Sequence, residues 1–371
     1  MSEEIVLEEI DECDVDTKDN TTPRIATYFH KFKKLLEQQK RAAIFTHAYP
    51  DPDAIGSIMA MSWLLDRAFN IPSDAFYVGP VSHPQNVAMV NLLDPDLKSV
   101  DEYVADSYSI KILVDTVPSN AGVAKNRDKP IFDLVIDHHK ETCGEGFEGL
   151  FINLKAGSCC ATVYDLIDKA GLVFEENNDA DTRVATAILV GVATDTENLM
   201  SDDATQYEFK AWSNSFEFKN SNLLKQIVNF ERPKFWIDHK AEAIMHATSV
   251  DGVSVVGMGV IPAKHRDMIA DMADEMARWE GIHTGIAFAI VDNTRIEGSV
   301  RSSNASLSVP KLCKELGGAF GGGGGKLGKG AYKYDLGGGS IYDDDDDETK
   351  DKTWLLYNEK ETKRVQRIMK K

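Results

Sequence analysis

Ala42-Ala-Ile-Phe-Thr46-His47-Ala-Tyr-Pro50-Asp51-Pro52-Asp53-Ala-Ile-Gly56-Ser57 packs a strand, a polar turn and the start of a helix into one short stretch. Ala42–Thr46 is an unbroken apolar run of the kind a strand buried on both faces needs, and Ala54–Phe69 returns to helical spacing. One imidazole and two carboxylates fall in the turn between them, stiffened by Pro50 and Pro52. The carboxyl end of a strand is where open α/β sheets bind ligands. Mixed nitrogen and oxygen donors suit a divalent transition metal such as manganese better than calcium or a thiolate-bound zinc. Taken alone, Asp51 and Asp53 serve equally well as caps for the helix that follows.

The same pattern recurs along the chain. Asp115 follows the apolar run Ile110–Val114, Asp137-His138-His139 follows Leu134–Ile136, and Asp195 follows Ala187–Val192. All can therefore reach one edge of one sheet, where crowded carboxylates repel unless cations or protons compensate them. Short apolar runs, with Ala75–Val78 and Leu150–Leu154 among them, alternate with helical stretches at Tyr28–Arg41 and Thr182–Val192, the latter with Asp181 as a candidate cap. This predicts a mostly parallel sheet covered by helices on both faces. From Ser221 to Ile244 the pattern is helical and polar. A second unit follows, with strands at Gly252–Gly257, Thr284–Val291 and Arg295–Val300, helices at Ala263–Trp279 and Val309–Leu316, then a strand at Trp354–Tyr357 and a basic helix. That helix carries Lys363, Arg364, Arg367, Lys370 and Lys371.

The 371 residues, 43% hydrophobic and 27% charged, suffice for two domains. The net charge of −19 is concentrated: residues 1–22 carry −8 and Asp343–Glu348 carry −6, leaving −5 for everything else. Such runs are expected to be solvated and disordered. A mildly acidic body disfavours long duplex nucleic acid but permits a small positive pocket. No apolar run approaches the ~18 residues of a membrane span. Cys13, Cys143, Cys159, Cys160 and Cys313 form an odd set without a CxxC pair, as expected in a reducing, cytoplasmic setting. The tryptophans Trp63, Trp212, Trp236, Trp279 and Trp354 are scattered and read as core.

His47-x-x-x-Asp51-x-Asp53, Asp115, Asp137-His138-His139 and Asp195 resemble, in order, the four motifs of the DHH phosphoesterases, with Gly56-Ser57 also typical. Arg301-Ser302-Ser303 followed by Phe320 and Gly321–Gly325 is similar to the DHHA1 domain of the nanoRNase branch. The resemblance spans roughly residues 25–335. It implies one metal held by His47, Asp51 and Asp115 and a second held by Asp53, Asp115, His138 and Asp195, with Asp115 bridging. Asp137 would orient His138, and His139 would face the scissile phosphate. The implied cofactors are two divalent cations, Mn²⁺ first, with Mg²⁺ or Co²⁺ as alternatives. Two such cations can generate a hydroxide and clamp the oxygens of an in-line displacement.

The glycine cluster Gly317–Gly330 lacks the spacing of a Walker A loop, because Phe320 and Leu327 stand where that motif requires Gly and Ser or Thr. It reads either as a flexible linker or as bare backbone that approaches a phosphate or base. In the family a histidine follows the glycines; here Lys326 and Lys329 follow. Arg301, Ser302, Gly322, Gly323, Gly324 and Lys326, with His139, are the expected substrate contacts. Gly157–Thr162 opens a helix, for packing or for substrate.

The expected architecture is two-domain α/β. Residues 1–22 form an acidic tail, 23–218 a parallel-sheet DHH catalytic domain, 219–245 a helical connector, and 246–371 a smaller DHHA1-like α/β domain, with a cleft between the domains. The expected substrate is a short single-stranded RNA or linear dinucleotide such as pGpG or pApA, cut to mononucleotides. Neither membrane nor long duplex is expected as a partner, and a homodimer is left open. Rivals are a nucleoside 3′,5′-bisphosphate phosphatase, a pyrophosphatase or polyphosphatase using the same site, and an inactive nucleotide-binding module.

Overall fold

Six short parallel strands form the first layer of the computed structural model, which describes residues 26–123 and 130–369. The chain enters on α1 (Ala26–Leu36) and continues through β1 (Ala42–Ala48), α2 (Pro52–Phe69), β2 (Ser73–Val78), α3 (Pro84–Leu93), β3 (Leu97–Ser99), β4 (Ile110–Val114), β5 (Leu134–Ile136) and β6 (Leu150–Ile152). The spatial order is β3-β2-β1-β4-β5-β6, every neighbouring pair parallel. Strand order therefore reverses between β1 and β4, the place where a doubly wound sheet leaves a crevice for ligands.

Helices α4 (Cys159–Lys169), α5 (Asp179–Asp195), α6 (Gln206–Phe216) and α7 (Ser221–Val228) complete this unit. The apolar residues of α2, α4 and α5 pack with one face of the sheet in a large core containing Ile44, Ile55, Ile112, Val163 and Ile188. A smaller aromatic cluster of Phe45, Phe76, Tyr103 and Phe132 covers the other face. Gly56 and Gly191 let α2 and α5 close around Cys160. A Cβ added at either would lie 2.5–2.6 Å from the Cys160 sulfur. Asp181 is not the cap of α5. Asn178 caps it, and Asp181 is buried one turn in, accepting from Trp63 Nε1 at 2.8 Å and Arg67 at 2.9 Å. Of the five tryptophans, Trp63 and Trp236 are buried; Trp212, Trp279 and Trp354 pack against core clusters half-buried.

The chain divides into two units between Glu231 and Arg232. The expected connector 219–245 is thus not a separate element. Ile227 of α7 is buried in the first unit's core, whereas Trp236 of α8 (Lys234–His246) is buried in the second's. An amphipathic polar helix looks alike in sequence whether it bridges or docks, and both of these dock.

The second unit adds β7 (Thr248–Val250), β8 (Val253–Ile261), α9 (Met268–Met276), β9 (Thr284–Val291), β10 (Arg295–Ser302), α10 (Val309–Gly317), β11 (Gly321–Lys326), β12 (Lys329–Asp335) and α11 (Asp347–Met369). Its mixed sheet runs β11-β12-β10-β9-β8-β7, with only β8–β9 parallel. The expected strand at Trp354–Tyr357 is instead the middle of α11. Trp354, Tyr357, Val365 and Ile368 share one helical face and pack with Phe288 and Val300. The acidic run does not stay a loop throughout. Asp347 and Glu348 form the first turn of α11, where carboxylates interact favourably with the positive end of the helix dipole, and Asp346 accepts from Thr349 N at 2.6 Å.

The glycine cluster, read as either a flexible linker or bare backbone near a ligand, is ordered over Gly321–Lys326 as edge strand β11 paired with β12. Gly321 and Gly323 face the backbone of α10: a Cβ at Gly323 would lie 2.0 Å from the Cys313 carbonyl oxygen, and one at Gly321 would lie 2.5 Å from that of Gly317. Gly322 and Gly324 point the other way, with nothing within 4 Å. Among the described residues, no disulfide joins Cys143, Cys159, Cys160 or Cys313. The acidic tail 1–22, Cys13, Lys370 and Lys371 lie outside the described residues. No helix among the described residues is long and apolar enough to cross a membrane.

Candidate metal centre

Each chemical group of the first unit is placed by the strand or helix that ends beside it. His47 is the penultimate residue of β1, and its Nδ1 donates to the Ala48 carbonyl at 2.9 Å, which turns Nε2 toward the carboxylates. Asp51 caps α2, accepting from Ala54 N at 3.0 Å, while Pro52 occupies the first helical position. The same oxygen lies 3.9 Å from His47 Nε2, so capping and facing the imidazole are one arrangement rather than alternatives. Asp115 follows β4 in a left-handed conformation (φ 60°), a strained geometry for a non-glycine residue of the kind concentrated at functional sites. Asp195 differs from the others: it is the last residue of α5 and arrives from a helix rather than from the sheet edge.

Asp115 sits at the centre. One carboxylate oxygen is 3.4 Å from His47 Nε2 and the other is 3.4 Å from His138 Nε2. His138 Nε2 also lies 3.3 Å from Asp195 and 3.9 Å from Asp53. The donors fall into the triads His47-Asp51-Asp115 and Asp53-His138-Asp195, with Asp115-His138-His139 as a third overlapping group. Asp53 and Asp115 form the buried floor, while Asp51 and His139 stand at the mouth with 43% and 44% of their side chains exposed.

Asp137 departs from the expectation that it orients the His138 ring. Its Oδ1 accepts from the backbone N–H of His138 at 2.9 Å and from His139 Nδ1 at 2.8 Å. The ring it holds is therefore His139, through Nδ1, which leaves Nε2 as the other ring nitrogen of a half-exposed side chain. A carboxylate one residue before a pair of histidines can reach only the ring that folds back toward it.

The electrostatics are those of negative charge in need of a counter-charge. Burial opposes protonation of His47, yet its pairing with Asp115 and the charge of Asp51 hold it at about 10. Burial likewise opposes charging of His138, and pairing with Asp115 and Asp195 overcomes it, lifting the group to about 12. Burial and the charges of Asp115 and Asp195 push Asp53 well above the usual carboxylate range. Asp115 is itself held low against the effect of burial, by His138 and His47. His138 Nε2 and Asp115 Oδ1 are buried without a hydrogen-bond partner, an arrangement that normally costs stability and that a cation between them would relieve. By donor type and by these orphaned atoms, the residues fit a pair of divalent transition-metal ions.

Four residues contribute in roles that were not foreseen. Cys159 and Cys160, the first residues of α4, donate their backbone N–H groups to the two Asp53 oxygens at 2.6 and 2.9 Å. Asn153, just after β6, donates to the His139 carbonyl at 2.7 Å. Glu208, fully buried on α6, holds the segment preceding α4. Of the four, Cys159 and Cys160 lie in the segment already singled out, and Glu208 had a signal of its own: Thr205-x-x-Glu208 is the spacing of a capping box. Gly157–Thr162 does open a helix, and Ser158 caps it.

Apart from His139, the residues expected to grip substrate lie in the second unit. Arg301 Nε donates to Asp274 at 2.8 Å, and a second guanidinium nitrogen donates to the Val300 carbonyl at 3.1 Å. Ser302 is hydrogen-bonded to Thr284 at 2.7 Å. Gly323 packs on α10 and so cannot present its face to a ligand, whereas Gly322 and Gly324 are bare on the open side. Lys326 is exposed and pairs across the hairpin with Lys329.

Residues 41–192 match the family model "DHH family, N-terminal domain". The first unit is a DHH family domain. It contains every motif residue from His47 to His139, with Asp195 just beyond the matched segment. An uncharacterized protein of Methanocaldococcus jannaschii is 30% identical over 297 residues, covering 79% of this chain and 58% of that relative, so the chain spans little more than half of it. A protein of Streptococcus agalactiae serotype Ia, named "Probable manganese-dependent inorganic pyrophosphatase", is 23% identical over 249 residues, which is 67% of this chain and 77% of that one. The solved structure of an exopolyphosphatase-related protein from Bacteroides fragilis is similar with a TM-score of 0.63 and 15% identity, over 92% of this chain and 98% of that one, a likeness of fold.

Proposed function

We propose that the protein is a metal-dependent phosphoester hydrolase that cleaves short oligonucleotides such as linear dinucleotides to mononucleotides. The observation that carries the hydrolytic part is Asp115, whose two oxygens face two different imidazoles in the middle of a buried carboxylate cluster. In this reading His47, Asp51 and Asp115 hold one divalent cation, and Asp53, His138, Asp195 and Asp115 hold the other. The cations, manganese first, supply Lewis acidity and lower the pKa of a bound water.

The chain's own residues do the rest. Asp115 fixes the spacing of the two ligand sets. Asp137 accepts a hydrogen bond from His139 Nδ1, keeping the ring in one orientation at the mouth. Its pairing with Asp137 raises the pKa of His139 despite burial. His139 Nε2 can then carry a proton to a phosphate oxygen or to the leaving oxygen, the role of a positioned general acid. The short-oligonucleotide substrate is supported by the basic and bare-backbone groups of the second unit. Arg301 would offer its guanidinium to phosphate by exchanging its bond to Asp274, Lys326 offers point charge, and the open backbone at Gly322 and Gly324 permits close approach of a phosphate or base.

A second reading, hydrolysis of inorganic pyrophosphate, is favoured by the similarity to the streptococcal relative. Product analysis separates the two. The protein with Mn²⁺ is offered pGpG, pApA, an RNA 5-mer, a 3′,5′-bisphosphate and pyrophosphate, with Asp115→Ala as control. Mononucleotides arising mainly from the dinucleotides are the expected result. Orthophosphate from pyrophosphate alone would replace the proposal with the second reading.

A further inference from the structure

Five successive backbone N–H groups, from Gly157 to Ala161, open α4, and each has a side-chain acceptor. Glu208 Oε1 accepts from Gly157 N at 2.9 Å and Ser158 N at 3.2 Å. Asp53 accepts from Cys159 N and Cys160 N, and Ser158 Oγ accepts from Ala161 N at 3.3 Å. Two fully buried carboxylates therefore share one helix start, Asp53 from the candidate metal centre and Glu208 from α6. The other Glu208 oxygen accepts from Thr205 N at 2.8 Å and Thr205 Oγ1 at 2.7 Å, which ties the carboxylate to the cap of its own helix. Gly157 seals the arrangement, since a Cβ there would lie 2.5 Å from the Asp203 carbonyl oxygen. A helix start fixes an anion only as firmly as the helix start itself is fixed.

We infer that Glu208 is a positioning residue for metal binding: by clamping Gly157 and Ser158 it sets where the Cys159 and Cys160 N–H groups hold Asp53, and thereby forms the cation site that Asp53 shares with His138 and Asp195. The inference rests on the proposed two-cation site. It adds that the two cation sites depend differently on α6. His47 and Asp51 belong to β1 and the start of α2, and neither takes a hydrogen bond from α4.

The test is titration of the metal-free protein with Mn²⁺, following free Mn²⁺ by its electron paramagnetic resonance, in the native chain and in Glu208→Gln. Gln keeps the shape of the side chain but turns an N–H₂ toward donors that need an acceptor. The native chain is expected to bind two ions. In E208Q one ion should bind as before and the other about 10-fold more weakly, the scale on which groups that orient ligands act. A purely structural role would weaken both ions together, in proportion to the loss of folded protein seen by thermal melting; that result, or two unchanged ions, overturns the inference. Fewer than two ions on the native chain overturns the proposed site, and the inference falls with it. If E208Q does not fold, Thr205→Val removes one bond to Glu208 while leaving its charge, and a smaller, equally selective weakening is expected. Two unchanged ions in T205V would then count against Glu208 in the same way.

Discussion

The two units handle polar groups in opposite ways. In the first, carboxylates and imidazoles converge on one point, and Asp115 and His138 keep buried atoms unpaired. In the second, several of the groups expected to meet a ligand already have partners: Arg301 leans on Asp274, Ser302 on Thr284, and Gly323 on α10. The first unit is thus a site whose own protein atoms do not complete it. The second is a scaffold with a few groups left over, and its ligand must either use those or displace existing pairs. A cluster of like charges has few structural explanations, whereas a glycine run has several.

The comparison breaks most sharply at Asp115. Replacing it with Ala removes an oxygen from each ligand set, and turnover is expected to fall on the order of 10³-fold, the upper range for losing one preorganised electrostatic group. Turnover within ~10-fold of the native chain would mean that the two ligand sets do not meet at this residue. In β11 the contrast lies within a single strand. Gly323→Ala drives a methyl group into the Cys313 carbonyl and should destabilise the second unit by about 1–3 kcal/mol. Gly324→Ala faces open space and should change stability by no more than about 0.5 kcal/mol while weakening substrate binding. Equal effects on thermal melting would show that β11 does not lie against α10.

Smaller effects sharpen the picture of the second unit. Glu297 is bracketed by Arg266 and Arg295, each at 2.7 Å, and their charges hold its pKa below the ordinary value although burial works the other way. A depressed carboxyl pKa contributes stability that is present above the unfolded-state value near 4.5 and is lost as pH falls through the folded-state value. Glu297→Gln should therefore cost about 1–2 kcal/mol at neutral pH and progressively less below pH 4.5. Parallel melting curves with a pH-independent gap would remove the ion pair from the account. Asp274→Ala frees Arg301 and should alter KM by only a few-fold with kcat unchanged, as loss or gain of uniform binding does; a change confined to kcat would put Arg301 in the chemical step.

How much of this was legible in the sequence follows the same divide. β4 and β5 appear in the sequence at their observed boundaries, because strands buried on both faces must be continuously apolar. Most metal-centre residues are visible because they stand just past such a run; Asp195 instead ends a helix, α5. What periodicity hides is which partner a group has chosen. Asp181 looks like a cap but is a buried acceptor for Trp63 and Arg67. Trp354–Tyr357 looks like a strand until Val365 and Ile368 are seen to continue the same helical face. Asp137 precedes two histidines, and only geometry shows that it holds the second. Glu208 was readable as half of a capping box, but nothing in one sequence shows that its other oxygen holds the start of α4.

The central claim is that one carboxylate, Asp115, joins two cation sites at the β1–β4 crevice. Counting Mn²⁺ bound per chain in the native protein and in Asp115→Ala tests it most directly. The account predicts two ions on the native chain, and in the variant both weakened together while the fold persists. A native chain that binds a single ion, or a variant that loses one ion and holds the other at native affinity, would contradict it.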